Sequence, residues 1–191
     1  MSDARQISQI SQAAHALRAG GVIAYPTETV FGLGCDPLNQ QAVERILELK
    51  QRPVEKGLII IGATLEQLRP YIDISDICDP AQLQKLTQPT ERPTTWICPM
   101  HRDVPQWLHG KHNSIAIRIT TSPLAQALCS EFGSALVSTS ANPAGLTPAR
   151  TTQNIEHYFG NQLDYILDGE CNPDAQPSRI IDLVSGRVIR D

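Results

Sequence analysis

The sequence predicts an α/β fold: one domain over residues 1–191, built as a mixed, twisted β-sheet with flanking helices. Three observations point there. Short apolar runs of strand length, Gly21-Val22-Ile23-Ala24-Tyr25, Leu58-Ile59-Ile60-Ile61 and Ala135-Leu136-Val137-Ser138, are separated by segments with helical periodicity. Ser114-Ile115-Ala116-Ile117-Arg118-Ile119 alternates strictly, the mark of a strand with two different faces. Strands and helices are intermixed without a clean βαβ alternation, which favours a mixed sheet over a wholly parallel one. With 191 residues, 41% hydrophobic and 19% charged, the chain is large and apolar enough to bury a core.

Each element has a local cause. Ile7, Ile10, Ala14 and Leu17 recur at helical spacing, and Gly20 supplies a stop, so a helix of about four turns precedes the first strand. The strand ending at Tyr25 runs into a turn, Pro26-Thr27-Glu28-Thr29, followed by two glycines, Gly32 and Gly34. Asn39 caps a second helix carrying Val43, Ile46 and Leu47, which Pro53 ends. Leu58–Ile61 is a core strand, and Thr64-Leu65-Glu66-Gln67 is a capping-box pattern for a short helix. No element is assigned over residues 70–93. Thr94–Cys98 is β-branched and aromatic, hence a strand. Residues 99–113, with prolines, histidines and Gly110, read as a loop before the alternating strand. Ser122-Pro123 starts a helix that Gly133 closes. The strand ending at Ser138, a helix near 151–159, a strand at 165–168 and a final pair around Ile180–Leu183 and Val188–Arg190, turning at Ser185-Gly186, complete the chain.

Composition narrows the function classes. The N-terminal Met-Ser-Asp-Ala-Arg-Gln has no apolar core of a signal peptide, and no apolar run approaches the roughly 20 residues of a membrane helix. Five cysteines (Cys35, Cys78, Cys98, Cys129, Cys171) are odd in number and form no CxxC pair, which predicts reduced thiols and a cytoplasmic protein. A net charge of −4 argues against a surface that binds nucleic acid everywhere, and leaves room for a local basic cleft. Neither G-x-x-x-x-G-K-[ST] nor G-x-G-x-x-G is present. His101, His109 and His112 share a loop with Asp103 at spacings that match no standard metal site, so none is expected. No cysteine sits beside a histidine in a nucleophile context, so thiol catalysis is not expected either.

The candidate site residues are hydroxyls and cations. The Thr27–Thr29 turn leaves a core strand at its C-terminal end, where open α/β sheets bind ligands. Lys50, Arg52 and Lys56 suit phosphate oxygens, with helix-dipole compensation as the competing explanation. Ser138-Thr139-Ser140-Ala141-Asn142 follows a strand, where its side chains either bind a ligand or satisfy the turn backbone. Arg118 shares a strand face with Ser114, which suits an anion in a cleft or, equally simply, a solvated sheet face.

Taken together, Pro26-Thr27-Glu28-Thr29 with Phe31-Gly32-Leu33-Gly34, Lys50-x-Arg52-Pro53, Ser114-x-Ala116-x-Arg118 and Ser138-Thr139-Ser140-Ala141-Asn142 resemble, in order and spacing, the YrdC-type threonylcarbamoyl-AMP synthase family in its short bacterial form. The resemblance covers essentially the whole chain, including Ser178-Arg179-Ile180-Ile181-Asp182 and Arg190. It implies a YrdC-like fold with a concave basic cleft, and a nucleotidyltransferase that converts L-threonine, bicarbonate or CO2, and ATP to threonylcarbamoyl-AMP and pyrophosphate. The product serves tRNA modification next to the anticodon through downstream threonylcarbamoyl-transfer proteins. Mg²⁺ is expected to accompany the nucleotide, with no protein carboxylate cage.

By the same resemblance, Thr29, Arg118, Ser138 and Ser178 would serve threonine. Lys50, Arg52, Lys56, Ser114, Ser140, Asn142 and Arg190 would serve ATP. No covalent nucleophile is implied. Two departures from the family pattern stand out. Thr90-Glu91-Arg92-Pro93-Thr94-Thr95 replaces the usual Pro-Gly-Pro-x-Thr, and Lys56 and Ile61 occupy positions where many relatives have asparagine and the long forms have histidine. The alternative is a double-stranded RNA or tRNA-binding module of the same fold, or an enzyme with a weak RNA contact.

Overall fold

The computed structural model describes residues 2–77, 79–172 and 174–191, with side chains from residue 4 onward. Its strands are β1 (Ile23–Pro26), β2 (Phe31–Gly34), β3 (Ile59–Gly62), β4 (Thr94–Pro99), β5 (Ser114–Ile119), β6 (Leu136–Ser140), β7 (Tyr165–Ile166), β8 (Arg179–Asp182) and β9 (Val188–Arg190). The helices are α1 (Ser2–Arg18), α2 (Gln40–Leu49), α3 (Leu65–Leu68), α4 (Pro80–Thr87), α5 (Gln106–His109), α6 (Pro123–Phe132) and α7 (Thr152–Phe159). Among the described residues the strands form one nine-stranded sheet in the order β7-β1-β2-β6-β3-β5-β4-β8-β9. It is mixed, as expected: β3 pairs parallel with β5 and antiparallel with β6, and β4 pairs parallel with β8.

Local chemistry explains most boundaries. The Asn39 side chain accepts from the Ala42 N–H at the start of α2, and the Ser122 hydroxyl does the same for Ala125 in α6. Gly133 ends α6 at φ 87°, a left-handed cap that glycine adopts without Cβ strain. Three elements depart from expectation. Phe31–Gly34, to which the sequence assigned no element, forms the strand β2. Its glycines permit close packing: a Cβ on Gly34 would meet Tyr25 Cε1 and the Val137 carbonyl oxygen, each at 2.7 Å. Helix α4 occupies part of the unassigned 70–93 segment, with Asp79 capping it and Pro80 at its first position. Helix α5 is a single turn inside the expected 99–113 loop.

The two sheet faces are covered unequally, and this positions the site. One face carries a large core with Leu33, Ile60, Ile115, Ile117 and Val137, packed against α2, α5 and α7 residues such as Ile46, Leu108 and Ile155. On the other face, α1 and α6 cover only the end around Ile23, Tyr25, Ile61 and Leu136, through Ala13, Leu17, Ala125 and Leu128. The rest of that face is open. Cys35, Cys98, Cys129 and Cys171 are free thiols; Cys78 lies outside the described residues. No helix among the described residues is long and apolar enough to cross a membrane.

Candidate active site

The uncovered sheet face forms the floor of a cavity of about 690 Å³, a size typical of small-molecule sites. Sheet register builds the floor. Ile59 on β3 stands between Ala116 on β5 and Ser138 on β6, and Gly32 on β2 stands opposite Ser140. Side chains on one face of a sheet alternate along each strand, so Ser114, Ala116 and Arg118 face the cavity while Ile115 and Ile117 enter the core behind. The parallel pairing of β4 with β8 brings Ile97, Ser178, Ile180 and Asp182 to the same cavity, and β9 adds Ile189 and Arg190.

Nine of the expected site residues line this one cavity: Thr29, Arg52, Lys56, Ser114, Arg118, Ser138, Ser140, Ser178 and Arg190. They arrive from six segments distant in sequence. The two threonines of the β1–β2 turn divide their work. Thr27 Oγ1 donates to the Val30 carbonyl at 2.7 Å and closes the turn, whereas the Thr29 hydroxyl has no hydrogen bond to any described residue and faces the cavity. The hydroxyls of Ser114 and Ser140 are likewise free of protein partners among the described residues. Ser178 is held in place: its Oγ accepts from Thr95 Oγ1 and from Arg190 Nη2, each at 3.1 Å, while Arg190 also grips the Ser178 carbonyl at 2.6 Å. Arg52 donates through Nε and Nη2 to the Gly57 carbonyl, at 3.3 and 2.9 Å, so the turn after α2 and the guanidinium fix each other.

Lys50 and Asn142, also expected at the ATP site, stand beside the cavity. Neither lines the cavity. Lys50, buried at 6% exposure, donates from Nζ to the Ser140 and Asn142 carbonyls, and lies 3.4 Å from Asn142 Oδ1. Asn142 in turn donates to the carbonyls of Pro143 and Leu146. Both residues shape the loop after β6, and Ser140 meets the cavity in their stead. The Lys50 ammonium, at the end of α2, thus meets backbone acceptors of the loop after β6.

The cleft is electropositive. Arg52, Lys56, Arg118, Arg187 and Arg190 line it against a single carboxylate among the described lining residues, Asp182. Burial, with Arg118 and Arg92 nearby, lowers the Arg190 pKa from its ordinary value, and burial alone lowers that of Arg52. Burial and the neighbouring Arg52 pull Lys50 down to about 8, although its carbonyl acceptors favour the ammonium form. Glu28, which sequence reasoning passed over, sits behind Arg118: Oε2 is 3.4 Å from Arg118 Nη2, and Oε1 accepts from Thr120 Oγ1 at 2.7 Å and the Thr121 N–H at 2.8 Å. Burial raises the Glu28 carboxyl, but the Arg118 charge and these hydrogen bonds outweigh it and hold the group below its usual range.

His109 and His112 also line the cavity, with His109 Nδ1 2.6 Å from the His112 carbonyl. Among the described residues no three His, Cys, Asp or Glu side chains stand close enough to hold a metal ion. Asp182, Arg187 and the histidines had no local signal, because only the pairing of distant strands and the α5–β5 connection bring them here.

Known proteins resemble this chain in sequence and in fold. The profile of the Sua5/yciO/yrdC family, described as "Telomere recombination", matches residues 15–191. The chain belongs to the Sua5/YciO/YrdC family. It is 46% identical over 189 residues to a threonylcarbamoyl-AMP synthase of Acinetobacter baumannii, covering 96% of this chain and 98% of that one. It superposes on P. abyssi Sua5 complexed with L-threonine with a TM-score of 0.82 at 30% identity, over 91% of this chain and 50% of that one, so it spans half that protein's length. E. coli YciO matches with a TM-score of 0.77 at 28% identity, over 97% and 91% of the two chains.

Within this Sua5/YciO/YrdC fold, the unusual Glu91-Arg92 segment has a definite place. Arg92 donates from Nε to the Pro177 carbonyl at 2.9 Å and pairs through Nη1 with Asp191 at 3.1 Å. It thereby ties the approach to β4 to the backbone just before Ser178. Ile61 lies opposite Arg118 on β5, buried among α1 and α6 side chains. Lys56 lines the cleft from the turn after α2, adding a cation to it.

Proposed function

We propose that this cleft is the active site of an L-threonylcarbamoyladenylate synthase. It takes L-threonine, bicarbonate or CO2, and ATP, and releases threonylcarbamoyl-AMP and pyrophosphate, acting in the cytoplasm to supply proteins that modify tRNA beside the anticodon. The observation that carries the reading is the convergence, on one cavity, of hydroxyls without protein partners (Thr29, Ser114, Ser140) and of arginines already anchored by the backbone (Arg52, Arg190). Anchored cations suit a triphosphate, because little side-chain order remains to be lost when it binds. Open hydroxyls beside Arg118 suit a small zwitterion. Family membership and the names of its relatives support the same assignment.

In this reading Thr29, Arg118, Ser138 and Ser178 hold threonine, and Arg52, Lys56, Ser114, Ser140 and Arg190 hold ATP. Lys50 and Asn142 set the Ser140 loop. The threonine amine attacks CO2 and loses a proton to give the carbamate. A carbamate oxygen then attacks the α-phosphorus, and pyrophosphate leaves. Neither step requires a covalent intermediate with the enzyme, so the protein contributes alignment of two ligands and stabilisation of developing negative charge. Among the described lining residues Asp182 is the single carboxylate. Mg²⁺ therefore enters this proposal only as a counter-ion carried by the nucleotide.

The test is pyrophosphate release from ATP by the purified protein, with RNA absent. Release should depend on both threonine and bicarbonate. Absence of any threonine-dependent release, together with tight duplex-RNA binding near physiological salt, would overturn the reading in favour of an RNA-binding module. That alternative is not favoured: the net charge is −4, and Arg52, Lys56, Arg118, Arg187 and Arg190 gather in a cleft of small-molecule size.

A further inference from the structure

The Glu28–Arg118 pair is incomplete as an ion pair. Carboxylate and guanidinium usually close to about 2.7–2.9 Å, often through two parallel bonds. Here a single contact of 3.4 Å joins side chains that are only 8% and 10% exposed. Glu28 Oε1 is fully engaged by Thr120 and Thr121. Glu28 Oε2 and Arg118 Nε are both buried without a hydrogen-bond partner among the described residues. Buried charges left half-paired are costly, so the arrangement calls for a further partner.

The cleft is where that partner would sit. Arg118 lines it with Thr29 and Ser138, and Glu28 does not. The guanidinium therefore stands between a fixed carboxylate and open space. Thr120 and Thr121 both donate to Glu28 Oε1, so turning that oxygen towards Arg118 for a fork–fork pair would give up those two bonds. Arg190 lies close enough to Arg118 for the two positive charges to disfavour each other. A free amino acid brings a carboxylate for Arg118 and an ammonium that needs negative potential nearby. Glu28 supplies that potential from behind the arginine. Without it, the same arginines would attract any small anion.

We propose that Glu28 is a positioning and specificity-determining residue: it holds the Arg118 guanidinium towards the cleft and tunes the pocket for a zwitterionic amino acid over the corresponding hydroxy acid that lacks the amine. The inference rests on the assignment of Arg118 to the amino-acid substrate. Its test is titration calorimetry of the wild type and Glu28→Gln with L-threonine and with β-hydroxybutyrate. The wild type should prefer threonine. In Glu28→Gln the threonine affinity should fall while that for β-hydroxybutyrate holds or rises, so that the ratio shrinks at least about tenfold, the scale of one charge acting across a partly buried site. A merely structural Glu28 predicts parallel losses for both ligands, and that result overturns the inference while leaving the site assignment intact. A wild type that does not bind threonine overturns the assignment and the inference together. Should Glu28→Gln fail to fold, the wild-type crystal structure with threonine decides: Arg118 should lie within 4 Å of both Glu28 and the ligand carboxylate. A guanidinium that has left Glu28 to reach the ligand refutes the idea.

Discussion

Thr27 and Thr29 sit two residues apart in one turn, both buried, yet their hydroxyls meet different surroundings, and one pair of substitutions separates a turn role from the proposed substrate role. Thr29→Val keeps the side-chain size and removes a hydroxyl that has no partner among the described residues and faces the cleft. Folding should barely notice. The bound threonine would lose one hydrogen bond and keep an unpaired polar group in a closed site, a cost of about 1–3 kcal/mol. That corresponds to a Kd roughly 5- to 150-fold weaker.

Thr27→Val removes the 2.7 Å bond from Oγ1 to the Val30 carbonyl, which keeps the Thr27 N–H as its donor at 3.1 Å. The cost should be about 1 kcal/mol of stability. In a chain of this length that lowers Tm by about 2–4 °C. Titration calorimetry with L-threonine and thermal melting of both variants is the assay. The expected pattern is a binding defect without a melting defect for Thr29→Val, and mainly the reverse for Thr27→Val. If Thr29→Val binds threonine within about twofold of the wild type, less than 0.5 kcal/mol, the assignment of that hydroxyl to substrate is wrong.

Four further outcomes are expected. Arg52→Lys loses the two-point grip on the Gly57 carbonyl and any two-point hold on phosphate, so adenylate formation should fall at least about tenfold; a change in melting with normal turnover would reduce Arg52 to a turn residue. Lys50→Met removes the donor shared by the Ser140 and Asn142 carbonyls, and should cost about 1–3 kcal/mol for each carbonyl that water cannot reach; unchanged melting would contradict this role. Glu28 titrates below its unfolded value, so its contribution to stability is complete above the ordinary 4.5 and is lost as pH falls through the folded value. The Tm advantage of the wild type over Glu28→Gln should therefore vanish in acid below that pH, and an advantage that grows in acid would show the sign to be wrong. Finally, two ligands sharing one cleft should couple: threonine should tighten ATP binding by the same factor by which ATP tightens threonine binding, and independent titrations would argue against a shared site.

Much of the site was legible in the chain. Thr29 and Ser138 lie just past the ends of apolar strand runs or at their polar termini, and the alternation of Ser114, Ala116 and Arg118 against Ile115 and Ile117 announces which side chains share a face. The same signals did not show that Lys50 and Asn142 hydrogen-bond to the backbone of the loop after β6. A cation and an amide in a polar segment look alike whether they meet a ligand or a backbone carbonyl. β2 was unreadable because Gly32 and Gly34 are poor strand formers, and their reason for being there is the ring of Tyr25 and the carbonyl of Val137 packed against them. α4 and α5 are short, with too few residues to establish a period, so caps and tertiary packing settle them.

The sequence by itself determined the class of fold, most of the strands and helices, the family, and the residue types of the cleft, because periodicity, caps and turn chemistry act over a few residues at a time. Only the tertiary structure decided which of those residues meet in space. The order in which the strands pair is a matter of non-local contacts, and it carries Ser178, Asp182 and Arg190 to the floor shared by Arg118 and Ser138. It also decided that α1 and α6 stop short of covering that face, which is why there is a cleft at all. The third thing it decided is what stands behind Arg118. Nothing in the local sequence links Glu28 to a strand ninety residues away; burial brings the two charges together, and burial makes their incomplete pairing consequential.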